Sequence, residues 1–247
     1  MAKMTLDELV TQLRSVYGSG LRSVVLYGSA AAGQHIPKRS DYNVLVIVDS
    51  LAPELLRAAA ATAQAWTEAK NPPPLTLTER EWRGSADIFP MEYSDIIERH
   101  RVLFGEAPFT GISVDRRDLR LQLERESMGG LLRFRQGVLS AGGDKSKLLE
   151  LLAASVSTVM VLFRAVVRLD GRTPAADNPA LAEQAGELVG FDASPFVRVL
   201  RHVRGEEKLS AGDAESLLGG YAAGLEQLVN HLDQLPASPV GGGTLGK

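Results

Sequence analysis

The chain reads as an α+β protein: an N-terminal mixed sheet with flanking helices, followed by a C-terminal all-α helical bundle. Three observations predict this. Short apolar runs bounded by turn residues alternate with helical patterns as far as about residue 105, and beyond the linker apolar residues recur only at helical spacing. Between the two lies residues 106–114, a stretch with Pro108 and Gly111 that reads as a linker. The boundaries that follow are residues 1–106 for the sheet domain, 115–235 for the bundle and 236–247 for a tail. That tail, PASPVGGGTLGK, is too rich in Gly, Pro and Ser to pack and is expected to be disordered.

Thr5-Leu6-Asp7-Glu8 is a capping box, and Leu6, Leu9, Val10, Leu13 and Val16 follow on one helical face. Leu21–Tyr27 and residues 42–48 read as strands. Residues 52–69 are alanine-rich, with Leu55, Leu56 and Trp66, and form a good helix that covers the sheet. Asn71-Pro72-Pro73-Pro74 ends it. Residues 75–77 are a short strand, 79–86 a helical turn or two, 89–93 a further strand, and 101–105 the last strand of the sheet.

In the second half, Leu121, Met128, Leu132 and Leu139 are spaced seven, four and seven apart and mark one stripe of a long helix. Gly142-Gly143 breaks it, and Asp144 caps a second helix running to about Leu169. Residues 171–178 form a loop, and shorter helices follow over 180–189 and 195–203. The last helix, over 210–235, carries Leu217, Tyr221, Leu225, Leu228 and Leu232 at helical spacing. The uncharged run 151–163 is too short to span a bilayer and reads as the central helix of the bundle. The sequence contains no internal repeat.

Composition bounds the function. Among 247 residues 45% are hydrophobic and 23% charged, ordinary for a soluble domain, and the formal net charge of −3 offers no general pull on nucleic acid. Small nucleotides fit better than duplex DNA. Cysteine is absent, which excludes disulfides, thiolate zinc sites and cysteine nucleophiles. No signal-type start precedes the capping box, so a cytoplasmic location without membrane attachment is the expectation.

The segment VVLYGSAAAGQHIPKRSDYNVLVIVD, residues 24–49, carries the chemistry. The first strand breaks at Gly28-Ser29, where small residues let backbone N–H groups approach phosphate oxygens and the Ser29 hydroxyl adds a donor. Asp41 opens the next strand, and residues two apart share a face, so Asp41 and Asn43 are expected to point the same way. Two oxygen-bearing side chains beside a phosphate-binding turn are what a Mg²⁺-dependent phosphoryl or nucleotidyl transfer site requires. The bland alternative is a strand, a turn and a strand in any α/β domain, since Gly-Ser turns occur everywhere.

Gly28-Ser29 followed by Ser40-Asp41-Tyr42-Asn43 inside an apolar strand resembles the signature of the DNA polymerase β-like nucleotidyltransferase superfamily. Its minimal and aminoglycoside-type members are the most similar in size and in their helical second half. The resemblance covers residues 20–105 and implies a nucleotidyltransferase-type sheet, a nucleoside triphosphate substrate, Mg²⁺ or Mn²⁺, and a hydroxyl acceptor. It also implies roles: Gly28 and Ser29 hold the triphosphate, Asp41 and Asn43 hold the metal, and a third carboxylate completes the metal site or acts as base. One departure falls on the chemistry. The family pattern has a carboxylate where this chain has Asn43, and an amide oxygen ligates Mg²⁺ without supplying negative charge.

Glu92, in Pro90-Met91-Glu92-Tyr93, is the preferred third carboxylate because an apolar-acid-apolar strand presents one charge to a cleft; Asp87 is the alternative. The alternative reading of Glu92 is an acid paired with Arg99 or Arg101. Lys38 and Arg39 lie in the loop before the acidic strand, within reach of a triphosphate or simply in solvent. His35 and the other histidines show no ligand spacing and receive no role. Arg116, Arg117, Arg120, Arg125, Arg133 and Arg135 make the helix after the linker basic, interleaved with acids as on an exposed face. The acceptor is not legible, and a homodimer is compatible with the chain. Three readings follow: an enzyme, a nucleotide-binding pseudoenzyme with Asn43 as its lesion, and an interaction protein of the antitoxin type that uses its surface.

Overall fold

The computed structural model describes residues 3–33, 41–236 and 244–245, and divides the chain into two compact units, Met1–Val114 and Asp115–Lys247. Each is described by itself.

In the first unit, the Thr5 side chain accepts from Glu8 N–H while the Glu8 carboxylate accepts from Thr5 N–H, and this box opens α1, Leu6–Tyr17. Three strands and a helix follow: β1 (Leu21–Tyr27), β2 (Asn43–Val48), α2 (Pro53–Glu68) and β3 (Leu75–Thr78). A second capping box, Thr78 with Glu81, opens α3 (Glu79–Gly84). The unit continues through α4 (Pro90–Glu98) and β4 (His100–Gly105), with β5 (Val114–Asp115) at its boundary. The sheet runs β3-β2-β1-β4, with β1 antiparallel to β2 and β4 and β2 parallel to β3. Parallel pairing needs a long crossover, and α2 supplies it. One face of the sheet, with Val24, Leu26, Val44, Val46 and Val48, packs on Leu9, Leu13 and Tyr17 of α1 and Trp66 of α2. Gly105 has φ +75°, and a Cβ there would stand 1.9 Å from the Arg22 carbonyl oxygen, so only glycine lets β4 pass β1.

The expected strand over 89–93 is instead helix α4. Pro90 occupies the first helical turn, where its missing N–H costs nothing, and the buried residues Pro90, Met91, Tyr93, Ser94 and Ile96 recur at helical rather than alternate spacing. The helix is locked by Tyr93, whose ring stacks on Trp82 at 4.1 Å and whose hydroxyl donates to the Trp82 carbonyl at 2.6 Å. Trp82 in turn donates from Nε1 to the Pro108 carbonyl at 2.6 Å.

The second unit is helical: α5 (Arg116–Ala141), α6 (Lys145–Leu169), α7 (Asn178–Val189), α8 (Ser194–Arg204) and α9 (Ala211–Gln234). Asp144 caps α6 by accepting from Ser146 and Lys147 N–H, and Gly142 ends α5 in the left-handed conformation. α6 touches α5, α7, α8 and α9. It runs from the Asp144 cap to Leu169 as read from the sequence, and by length and composition alone its 25 residues suffice to cross a membrane; here 56% of its apolar window is buried in the bundle. Phe163, Phe191, Phe196 and Tyr221 form a continuous aromatic core with Phe134. The buried face of α5 carries Leu119, Leu123, Leu131 and Phe134. The stripe read from the sequence, Leu121, Met128, Leu132 and Leu139, is exposed. α5 has two apolar faces, and the one with Phe134 meets the core. Of the tail, Pro236 and the two-residue strand β6 (Thr244–Leu245) are described; the remainder lies outside the described residues.

Candidate functional site

β1 ends at Tyr27, which pairs with Asn43 on one side and His100 on the other, so these three residues form a row across the end of the sheet. Directly opposed residues share a face. Because Leu26 and Val44 face α1 and α2, alternation turns Tyr27, Asn43 and His100 to the opposite face.

The ladder continues one residue past Tyr27, with Gly28 N–H donating to the Arg99 carbonyl at 3.0 Å. That bond occupies the Gly28 donor, so a phosphate cannot take it, contrary to the simplest reading of the turn. The chain then winds up tightly: Ala32 N–H donates to the Gly28 carbonyl at 3.1 Å. This leaves Ser29, Ala30 and Ala31 with three consecutive backbone N–H groups that carry no hydrogen bond among the described residues, as at the opening turn of any helix. The Ser29 hydroxyl likewise has no partner among them. Gly28 has φ +78°, and a Cβ on it would lie 3.5 Å from Asn43 Nδ2, so the Asn43 amide sits directly against the turn. A run of unengaged amide donors with a further amide beside it is chemically an anion cradle.

Asp41 is exposed, and its side chain makes no hydrogen bond among the described residues. β2 begins at Asn43, two residues later, because the intervening Tyr42 N–H is taken by Asn71 Oδ1 at 3.1 Å rather than by the ladder. Strand alternation therefore fixes the face of Asn43 but does not extend to Asp41, and the expected common face rests on position alone.

Glu92 stands not on a strand but in the first turn of α4, exposed, where a carboxylate also complements the helix dipole. Its charge nevertheless reaches the end of β1. Burial, chiefly, and then Glu92 raise the Tyr27 hydroxyl above the ordinary tyrosine range. Asp87 bears instead on Tyr93, whose hydroxyl is pushed up to about 12 chiefly by burial. Of the two candidate carboxylates, Glu92 is thus the one whose field is felt beside Asn43. Lys38, Arg39 and His35 lie outside the described residues. His100, which sequence reasoning passed over, has Nδ1 2.9 Å from the Ile97 carbonyl, so Nδ1 carries the proton in that bond. Only strand register, invisible in composition, brings it level with Tyr27.

Among the described residues, no group of three His, Asp or Glu side chains is placed to hold a metal. One carboxylate, Asp41, and one amide, Asn43, fit a single Mg²⁺ that draws its other ligands from nucleotide phosphates and water. They do not fit a two-ion site built by the protein. Two clefts of about 860 and 600 Å³ open at the other end of the sheet, and both are lined by Glu79 and Arg83. Within their lining, Arg83 pairs with Glu79 at 2.9 Å and Arg22 with Asp49 at 2.5 Å.

No family model matches the chain, and no curated protein matches it. A solved structure does: spectinomycin adenyltransferase AAD(9) from Enterococcus faecialis, with ATP and spectinomycin, at a TM-score of 0.56 and 12% identity, over 93% of this chain and 100% of that one. The likeness is one of fold. The chain has an α+β architecture, a mixed four-stranded sheet with flanking helices followed by a helical region, which is the fold that the resemblance in its sequence implied.

Proposed function

We propose that this chain transfers a nucleoside monophosphate from a nucleoside triphosphate to a hydroxyl of a small acceptor. The observation that carries the reading is the run of N–H groups at Ser29, Ala30 and Ala31, unengaged among the described residues and set beside Asn43 at the end of the sheet, in a fold similar to that of an adenyltransferase solved with ATP. Those donors and the Ser29 hydroxyl take the triphosphate oxygens and orient the chain of phosphates. Lys38 and Arg39 are assigned to the same triphosphate by their place in the sequence. The acceptor oxygen forms a bond to the α-phosphorus as the bond from that phosphorus to the bridging oxygen breaks, and pyrophosphate leaves with the electron pair. Glu92 takes the acceptor proton. Asp41 and the Asn43 carbonyl would hold a Mg²⁺ or Mn²⁺ ion, which would supply charge neutralisation to the phosphates.

A second reading is favoured by one observation, the amide at position 43 in place of an acid. With a single carboxylate beside the turn, the site attracts cations less strongly, and a chain that binds nucleotide without turning it over is the consequence. Titration with each of the four nucleoside triphosphates in Mg²⁺ and in Mn²⁺, following both binding and pyrophosphate, separates the two. Saturable binding with pyrophosphate release on adding aminocyclitol or aminoglycoside acceptors supports the enzyme; binding without release supports the second reading. Absence of binding in every condition overturns both and leaves an interaction protein.

A further inference from the structure

The stripe that the sequence singled out on α5 faces away from the bundle core, and it is self-complementary. Leu121 is 55% exposed, Met128 41%, Leu132 49% and Leu139 80%, all on a helix whose opposite side is buried. Adding the two arginines on the same face gives Leu121, Arg125, Met128, Leu132, Arg135 and Leu139, with steps of four, three, four, three and four residues. Steps of four and three in alternation, seven residues to each pair, are the spacing of a coiled-coil seam. The seam also reads the same from both ends about Gly130: Leu121 mirrors Leu139, Arg125 mirrors Arg135, and Met128 mirrors Leu132. Such a pattern has no use against an unrelated surface, but it is what a two-fold axis through the middle of the helix requires, since an isologous contact meets its own patch reversed.

We propose that two copies of this chain associate through antiparallel α5 helices, with the Leu121 of each layered on the Leu139 of the other and each Met128 on the other Leu132. The helix of 26 residues is about 39 Å long, enough for the whole seam to engage. The exposed parts of the six side chains come to roughly 700 Å² per chain before flanking polar residues are counted, close to the about 800 Å² per partner of a standard interface. Charge is compatible with the pairing. Arg125 and Arg135 lie about 40° to either side of the seam's centre, so a shared layer sets them on opposite edges. Each also carries its own carboxylate, Arg125 with Glu126 at 3.4 Å and Arg135 with Glu226 at 2.8 Å, so the layer joins two neutral pairs rather than two bare cations. The inference is independent of the catalytic proposal, because no residue of the Gly28 turn or of α4 takes part.

Sedimentation velocity of the full chain from about 1 to 100 μM tests it, that range bracketing micromolar association. A dimer is expected, and Leu132→Glu, an exposed position that leaves the core untouched, should weaken it at least tenfold because the two-fold introduces the carboxylate twice. Register is tested separately in this cysteine-free chain. Leu121→Cys mixed with Leu139→Cys should give an oxidised heterodimer, while either variant alone gives none, since like positions stand about 27 Å apart along the paired helices. A monomer throughout the concentration range, a dimer indifferent to Leu132→Glu, or crosslinking by each single variant alone would overturn the proposal.

Discussion

Gly28 is where a structural and a functional account of the β1 turn make different predictions. Its φ of +78° is a left-handed conformation with a cost of about 1 to 2 kcal/mol for a residue with a Cβ, toward the upper end for a β-branched side chain. Space adds little to this, because the first added carbon meets Asn43 Nδ2 at 3.5 Å, an ordinary contact. Gly28→Val should therefore destabilise the first unit by about 2 kcal/mol, or about 8 °C in its melting midpoint at roughly 4 °C per kcal/mol for a unit of this size. Gly28→Asn should cost less than half of that, since asparagine tolerates the left-handed region. Binding follows a different rule. A side chain at this position projects toward Asn43 Nδ2, beside the turn whose N–H groups at Ser29 to Ala31 carry no hydrogen bond among the described residues, and the loss of one hydrogen bond to a charged phosphate is worth about 1.5 to 3 kcal/mol, a tenfold to hundredfold rise in Kd. Both variants should then lose ATP affinity by at least tenfold, although only Gly28→Val is markedly destabilised. Calorimetric titration at 15 °C with circular dichroism on the same samples reads both quantities. If Gly28→Asn binds with the parent's Kd, the turn serves only to tie β1 to β4 through the Arg99 carbonyl, and the anion cradle is refuted.

The remaining predictions address the carboxylates, the amide and the titrating tyrosines. Glu92→Gln should cut pyrophosphate release by about a hundredfold to ten-thousandfold with little change in nucleotide Kd, the pattern of a lost base; if Asp87→Asn shows that pattern and Glu92→Gln does not, the assignment is wrong. Asn43→Asp should tighten Mg²⁺ and raise turnover, and an unchanged Mg²⁺ dependence would remove position 43 from the metal site. For pH, the folded chain holds the protons of Tyr27, Tyr93 and Tyr221 more tightly than the unfolded chain, because burial raises all three. Stability should thus be full below about pH 10, the unfolded value, and fall as pH rises beyond it, with urea midpoints for Tyr93→Phe showing a shallower alkaline decline. At the acid end, Asp213, held at about 2 chiefly by the Ser210 hydroxyl and backbone N–H and then by Arg198, stabilises the start of α9 above its ordinary 3.8. That contribution should fade as pH falls toward 2, and Asp213→Asn should abolish the fading.

What the sequence disclosed and what it hid have separate physical causes. β1, β2 and the first capping box were legible because each rests on a local pattern: an apolar run closed by Gly28, or Thr5 set three residues before Glu8. The turn at Gly28-Ser29 and the neighbourhood of Asn43 could be anticipated for the same reason. α4 was misread because four residues of alternating character, Pro90 to Tyr93, satisfy a strand and a helix equally. The deciding residues were Pro90 at the first turn and Ile96 three residues beyond Tyr93. On α5 the stripe is legible but its placement is not, because a helix with two apolar faces gives no sequence signal for which one meets the core. The occupied donor at Gly28 and the row His100, Tyr27, Asn43 depend on the β1 to β4 register, a pairing between segments more than seventy residues apart.

That register bears on why position 43 tolerates an amide. Asn43 is not at a free strand end: it opposes Tyr27, and its amide nitrogen lies 3.5 Å from where a Cβ on Gly28 would stand. A carboxylate in the same place would present only acceptors to the free N–H groups of the turn and would compete with a phosphate for them. On the proposed function, an amide would present a donor toward a phosphate held by those N–H groups, while its oxygen would remain available to a cation. Asn43 would then exchange cation attraction for direct phosphate binding. This makes a definite forecast for Asn43→Asp: in chelator its nucleotide affinity should fall below the parent's, and in Mg²⁺ it should rise above it. A parent whose nucleotide binding is wholly Mg²⁺-dependent, with Asn43→Asp tighter in both conditions, would instead make the amide a plain loss of a ligand.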